Sequence, residues 1–107
     1  MSAADHHPVY RLIPKLGTIR DDVLFGQVWE DPDLSKRDRS LITVAMLAAL
    51  YRTEEIKSHM QRAMDNGVTE TELKALITHV AFYGGWPCAV NAGRCAVEVL
   101  EKKITAA

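Results

Sequence analysis

Residues 41–51 read Leu41-Ile42-Thr43-Val44-Ala45-Met46-Leu47-Ala48-Ala49-Leu50-Tyr51. There is no apolar–polar alternation of the kind a strand requires, so the run reads as helix. At 100° per residue its apolar side chains fall on every face, with Thr43 the one interruption. A helix that is apolar all round is buried on all sides. A chain of 107 residues has little else with which to surround it. The run therefore predicts subunit association. It is also far short of the roughly 20 apolar residues that a membrane span needs.

Upstream, Ser35 is an N-cap candidate, and Asp38 stands three residues on in the capping-box position. Lys36, Arg37 and Arg39 then put positive charge at a helix start, where it is slightly unfavourable, so solvated surface is the default reading. One arginine of the three, turned inward, can hold a carboxylate in a forked pair. Glu30-Asp31-Pro32-Asp33 is a turn, with Glu30 beside Trp29 as a weaker candidate acid or base. Helices are expected over Thr18–Gln27 and over Tyr10–Leu16, the latter weakened by Pro14. Residues 1–8, with His6, His7 and Pro8, read as a frayed tail, and residues 9–107 as a single domain.

Downstream, Thr53 is read as the cap of the next helix, whose apolar stripe is Ile56, Met60, Ala63 and Met64. Asn66-Gly67 ends it, with Gly67 in the left-handed C-terminal role. Thr69 and Glu72 form a capping box for a helix with Leu73, Leu76, Ile77, Val80, Ala81 and Gly84 as its core stripe. Gly84-Gly85 ends or bends it. Pro87 suits the first turn of a final helix running to about Lys102. The fold class is all-α, with five or six helices.

Composition narrows the function. Thirteen Lys and Arg against fourteen Asp and Glu leave a net charge of -1, with no electrostatic footprint for nucleic acid or an anionic membrane. The opening MSAADHHPVYR has no apolar signal-peptide core, so a cytoplasmic location is expected. Cys88 and Cys95 on one helix would stand roughly 10 Å apart by helical rise. A disulfide needs Cα atoms within about 7 Å, so no intrachain bridge is expected, and both read as small buried apolar residues. The histidines have no metal-ligand spacing, and no metal is expected.

Two features can carry chemistry. His79, Phe82 and Tyr83 stand at i, i+3 and i+4 on a face away from the leucine stripe, and Trp86 follows at i+7 if the helix persists that far. This cluster reads either as a subunit interface or as the wall of a pocket with His79 as its polar group. His59 lies within the Ile56–Met64 stripe. A lone histidine there is read first as a satisfied core residue and second as an acid or base, since histidine is the commonest residue in that role.

The stretch FGQVWEDPDLSKRDRSLITVAMLAALYRTEEIKSHMQRAMDNGVTETELKALITHVAFYGGWPCAVNAG, Phe25 to Gly93, resembles the carboxymuconolactone decarboxylase family. VWEDPDLSKRDRSL, the NGVT turn and HVAFYGGWP carry the likeness. The peroxidase-like branch of that superfamily, similar to alkyl hydroperoxidase D, has C-x-x-C-x-x-x-H before the NGVT turn. Here Arg52 and Glu55 stand in the cysteine positions, His59 matches the motif histidine, and Ser40 stands where that branch keeps a relay glutamate. Thiol peroxide reduction has no nucleophile in its usual place.

The resemblance implies an alkyl hydroperoxidase D-like helical fold, no cofactor, and a homo-oligomer, either a trimer or a hexamer built as a trimer of dimers. It also implies decarboxylation of γ-carboxymuconolactone to 3-oxoadipate enol-lactone in the β-ketoadipate pathway of aromatic catabolism. On that reading Arg39 binds the substrate carboxylate, with Trp86 and Tyr83 shaping the pocket. His79 delivers the proton, His59 serves as oxyanion donor or the two exchange roles, and Glu30 orients a histidine. Two other readings stand beside this lyase: a thiol-dependent oxidoreductase using Cys88 or Cys95, and a non-enzymatic helical oligomer.

Overall fold

The computed structural model describes residues 8–106, and side chains through Glu101. All regular structure among them is helical. The described residues divide into two compact units, the boundary falling between Ser35 and Lys36.

The first unit holds α1 (Pro8–Leu12), α2 (Pro14–Ile19) and a π-helical segment, Arg20–Val28. The helix expected over Tyr10–Leu16 is divided at Ile13, because Pro14 cannot continue a helix but is well placed to open one. Pro8, expected in the tail, already belongs to α1, and the rest of that tail lies outside the described residues. The helix expected over Thr18–Gln27 is continuous but changes pitch at Arg20. The closing bond of the wider turn runs from the Trp29 N–H to the Leu24 carbonyl at 2.9 Å. Arg20 holds this unit together, its guanidinium lying 4.6 Å from the Phe25 ring centroid and 5.6 Å from that of Tyr10.

The second unit packs α3 (Lys36–Ala49), α4 (Thr53–Asp65), α5 (Glu70–Tyr83) and α6 (Trp86–Ala106) around one core. Ile56, Met60, Leu73 and Val44 are its largest fully buried side chains. Helix α3 opens one residue past Ser35 and buries Ser40, Val44 and Ala48. Leu41 and Leu47 also pack against the core, but part of the helix stays open: Ile42 is exposed and Met46 is 59% exposed. The expected all-round helix also stops short of Tyr51, which has φ +61.

The turn into α4 departs from expectation as well. Thr53 is the first helical residue and not the cap; Arg52 is the N-cap and makes no side-chain capping bond. The Thr53 hydroxyl donates instead to Asn91 Oδ1 on α6, at 3.2 Å. The C-terminal end of α4 is as read. Gly67 has φ +103, with the Val68 N–H on the Ala63 carbonyl and the Gly67 N–H on the Met64 carbonyl. Asn66 Nδ2 donates to the buried Ser40 Oγ at 2.9 Å, tying this turn to α3.

Thr69 and Glu72 form the full capping box. Helix α5 ends at Tyr83 and Gly85 turns the chain at φ +112, so Trp86 opens α6 and is not an i+7 neighbour of His79 on one helix. Pro87 lies in the first turn of α6, and the helix continues past Lys102 to Ala106. Cys88 and Cys95 are free thiols, the first half-buried and the second buried. No helix among the described residues is long and apolar enough to cross a membrane.

Candidate functional site

Helices α3 and α5 run side by side in the same direction. At their starts Arg37 of α3 pairs with Glu72 of α5. At their ends Gly84 lies so close to α3 that a Cβ there would sit 3.1 Å from the Ala49 Cβ. Between these two points the helices leave an open groove of about 470 Å³. Leu41, Ile42 and Ala45 form one wall, and Ala75, Leu76 and Val80 the other, with Glu72 and His79 as the polar members. A concave, largely apolar surface with few polar groups is the usual form of a small-molecule site.

His79 and Glu72 share a face because they are seven residues apart, two helical turns or about 10 Å along the axis. The imidazole is exposed in the chain and stacks on the Tyr83 ring, one turn on, with centroids 4.6 Å apart and planes inclined by 22°. Glu72 uses both oxygens: Oε1 accepts the Thr69 N–H at 2.9 Å, and Oε2 takes Arg37. Arg37 is in turn bound by Asp38 at 2.9 Å.

The aromatic face expected on α5 therefore divides. His79 lines the first groove, and Tyr83 stacks on it without being part of the groove wall. Phe82 and Trp86 meet edge to face with centroids 6.3 Å apart, at a separate depression of about 310 Å³ between α5 and α6. Trp86 is thus not in the groove with His79. The remaining expected residues are dispersed. Among the described residues His59 does not line the His79 groove, and it is half-buried on α4. Arg39 is half-buried on α3, three residues before Ile42 of the groove wall, and is not itself in that wall. Glu30 is exposed in the turn that follows the π-helical segment, in the other unit. Arg52 and Glu55 are exposed and Ser40 is buried.

Glu72 is the groove residue that sequence reading missed, and Arg37 is the arginine of the three that holds a carboxylate, that of Glu72. Glu72 was legible only as half of a capping box, although its seven-residue spacing from His79 places the two on one helix face. Among the described residues no cluster of His, Cys, Asp and Glu is arranged to hold a metal ion.

Two curated relatives share this region. One, named 4-carboxymuconolactone decarboxylase, from Acinetobacter baylyi, is 43% identical over 77 residues, covering 72% of this chain and 58% of the relative. The other, named nitrosuccinic acid decarboxylase, from Metarhizium robertsii, is 35% identical over 68 residues, covering 64% of this chain and 48% of the relative. The chain thus spans about half the length of the curated relatives it matches. The model of the carboxymuconolactone decarboxylase family matches residues 14–98, most of the two units described above, and the chain belongs to that family.

Proposed function

We propose that the protein is a cofactor-independent decarboxylase of a small carboxylated lactone, with γ-carboxymuconolactone the substrate to test first. The observation that carries this reading is the groove itself, a largely apolar surface on which His79 is the one imidazole and Glu72 the other polar residue. The names of both relatives support the reaction class.

The chemistry needs little from the protein. The departing carboxylate sits on a carbon joined through a double bond to the lactone carbonyl. The C–C bond breaks, carbon dioxide leaves, and the electron pair spreads into a dienolate with its charge on the carbonyl oxygen. A proton delivered to carbon then completes the enol-lactone. The substrate is its own electron sink, so the protein must orient it, exclude water and move one proton. His79 is the proton donor in this scheme, held by its stack on Tyr83. Arg39, beside the groove and not in its wall, attracts the anion by charge. His59 and Glu30 have no assigned step.

A homo-oligomer, trimer or hexamer, belongs to the same proposal, because His79, Ile42 and Ala75 of the groove and Met46 beside it on α3 are exposed in the single chain. The test is direct: purified protein is mixed with γ-carboxymuconolactone, and loss of the lactone is followed with release of carbon dioxide. Stoichiometric release supports the reading. Absence of turnover with carboxylated lactones overturns it.

A further inference from the structure

A dienolate formed beside His79 has to be kept from water until its proton arrives. In the single chain the groove is open along its mouth, with His79, Ala75 and Ile42 exposed. The Glu72 charge at one end is neutralised by Arg37, so an apolar cover meets no bare carboxylate there.

Beside the groove stands a ridge. Ile42, Met46 and Leu50 follow one another at four-residue spacing and are 41%, 59% and 64% exposed. The Leu50 N–H still bonds to the Met46 carbonyl, at 2.9 Å, so the row stays helical to its end. Rows of this spacing are what one helix inserts into the groove of another. Ile42 belongs to the ridge and to the groove wall alike. A ridge lying alongside a groove complements itself: under a two-fold axis each ridge meets the groove of the other copy. A second copy thus engages both features, whereas a loop laid in the groove leaves the ridge bare. Ridge, walls and the exposed Tyr83 ring present on the order of 500 Å² per copy, so a reciprocal pair buries about 1,000 Å², the size a specific interface has to reach.

The register fits. Helices α3 and α5 are matched at an offset of thirty-five positions, Arg37 with Glu72 and Ala49 with Gly84. His79 is therefore level with Val44, about 3 Å along the axis from Met46. A two-fold axis close to Met46 lays the partner's ridge over His79 and leaves the Glu72 end open for substrate.

We infer that a second copy of this chain closes the His79 groove, the Ile42–Met46–Leu50 ridge of each copy lying along the mouth of the other's groove. The closure rests on the shape of this surface. Its bearing on catalysis rests on the reading of the groove as the decarboxylation site. The smallest unit so built is a pair, which a hexamer contains as a trimer of dimers.

The test labels His79 with diethyl pyrocarbonate, the rate being read peptide by peptide in the mass spectrometer. In the assembled parent His79 is expected to react at least tenfold more slowly than in Met46→Asp, whose ridge carries a charge that resists burial, at unchanged circular dichroism. Met46→Leu keeps the ridge apolar and should keep both assembly and protection. Turnover should fall at least tenfold in Met46→Asp. A parent that sediments as a monomer overturns the inference, as does labelling of His79 at one rate in the parent and in Met46→Asp. If protection behaves as expected while turnover ignores it, or the parent turns over no carboxylated lactone, the closed groove stands. The placement of decarboxylation within it is then what fails.

Discussion

The ring of His79 lies almost parallel to that of Tyr83, one helical turn away, at 4.6 Å between centroids. A stacked imidazole has its ring plane fixed while its nitrogens stay at the ring edge, free to face the groove. The arrangement suits a group that must present a proton in one direction. His79→Ala is expected to lower kcat by about 100-fold or more, the lower range for a positioned acid–base group. The fold should survive, since the position is exposed and alanine favours helix. His79→Gln can hydrogen-bond but cannot deliver the proton, so it should stay slow. Recovery of most activity in His79→Gln would make the residue an oxyanion donor instead.

Arg39 is expected to act at a distance. Arg39→Ala should raise KM several-fold with little change in kcat, and should flatten the dependence of kcat/KM on ionic strength. A large fall in kcat at unchanged KM would place the guanidinium against the reacting atoms.

Glu72 joins the start of α5 to α3, so its removal should be felt in stability. Glu72→Ala breaks the capping box and leaves Arg37 with Asp38 alone. The expected cost is about 1 kcal/mol, chiefly from the cap, since the ion pair is partly exposed. Glu72→Gln should recover most of it. Urea unfolding of the three proteins checks the order.

The cysteines are expected to be dispensable for turnover and to differ in reactivity. Cys88→Ala with Cys95→Ala should leave decarboxylation within about tenfold of the parent. Burial pushes the Cys95 thiol up from its usual 9.0, with the Lys57 charge pulling it down less. The native state thus holds this proton more tightly than the unfolded chain does. The stabilisation is complete below pH 9.0 and is lost as pH rises through the native value. Lys57, raised chiefly by its hydrogen bond with Glu98, acts in the same direction from its usual 10.5. The urea midpoint should therefore fall in alkali, and less so in Cys95→Ala. Iodoacetamide should label Cys88 first. Faster labelling of Cys95 would contradict the burial argument.

Met46 tests assembly without testing the core. It is 59% exposed in the chain, so Met46→Asp costs a lone chain little. In an oligomer that covers α3 it buries an unpaired charge. Sedimentation should show the parent as a trimer or hexamer and the variant as a smaller, folded species. An unchanged sedimentation coefficient would remove Met46 from any interface.

Local signals were legible in the sequence. The NGVT turn announced both the left-handed Gly67 and the Thr69–Glu72 box, because each needs only three or four neighbouring residues. His79 stood out because an imidazole on an aromatic face is unusual. What escaped was non-local. The Arg37–Glu72 pair joins residues far apart in the chain, and no spacing rule connects them. Thr53 looked like a cap until Asn91, on another helix, offered its hydroxyl a partner. The split of Phe82 and Trp86 from His79 followed from where α5 stops, which the Gly84-Gly85 pair marked without fixing. The change of pitch at Arg20 had no sequence signature at all.

The two fastenings of α3 to α5 are evenly matched. Twelve positions separate Arg37 from Ala49, and twelve separate Glu72 from Gly84, each about 18 Å of helix. The helices thus behave like the two rails of a ladder fixed at its first and last rungs. Inserting or deleting one residue in either rail swings one fastening through about 100° and breaks it. Side chains between the rungs are under no such constraint. Lineages can therefore retailor the walls by substitution while the lengths of both rails stay locked together, and a gap in one helix should be found only with its counterpart in the other.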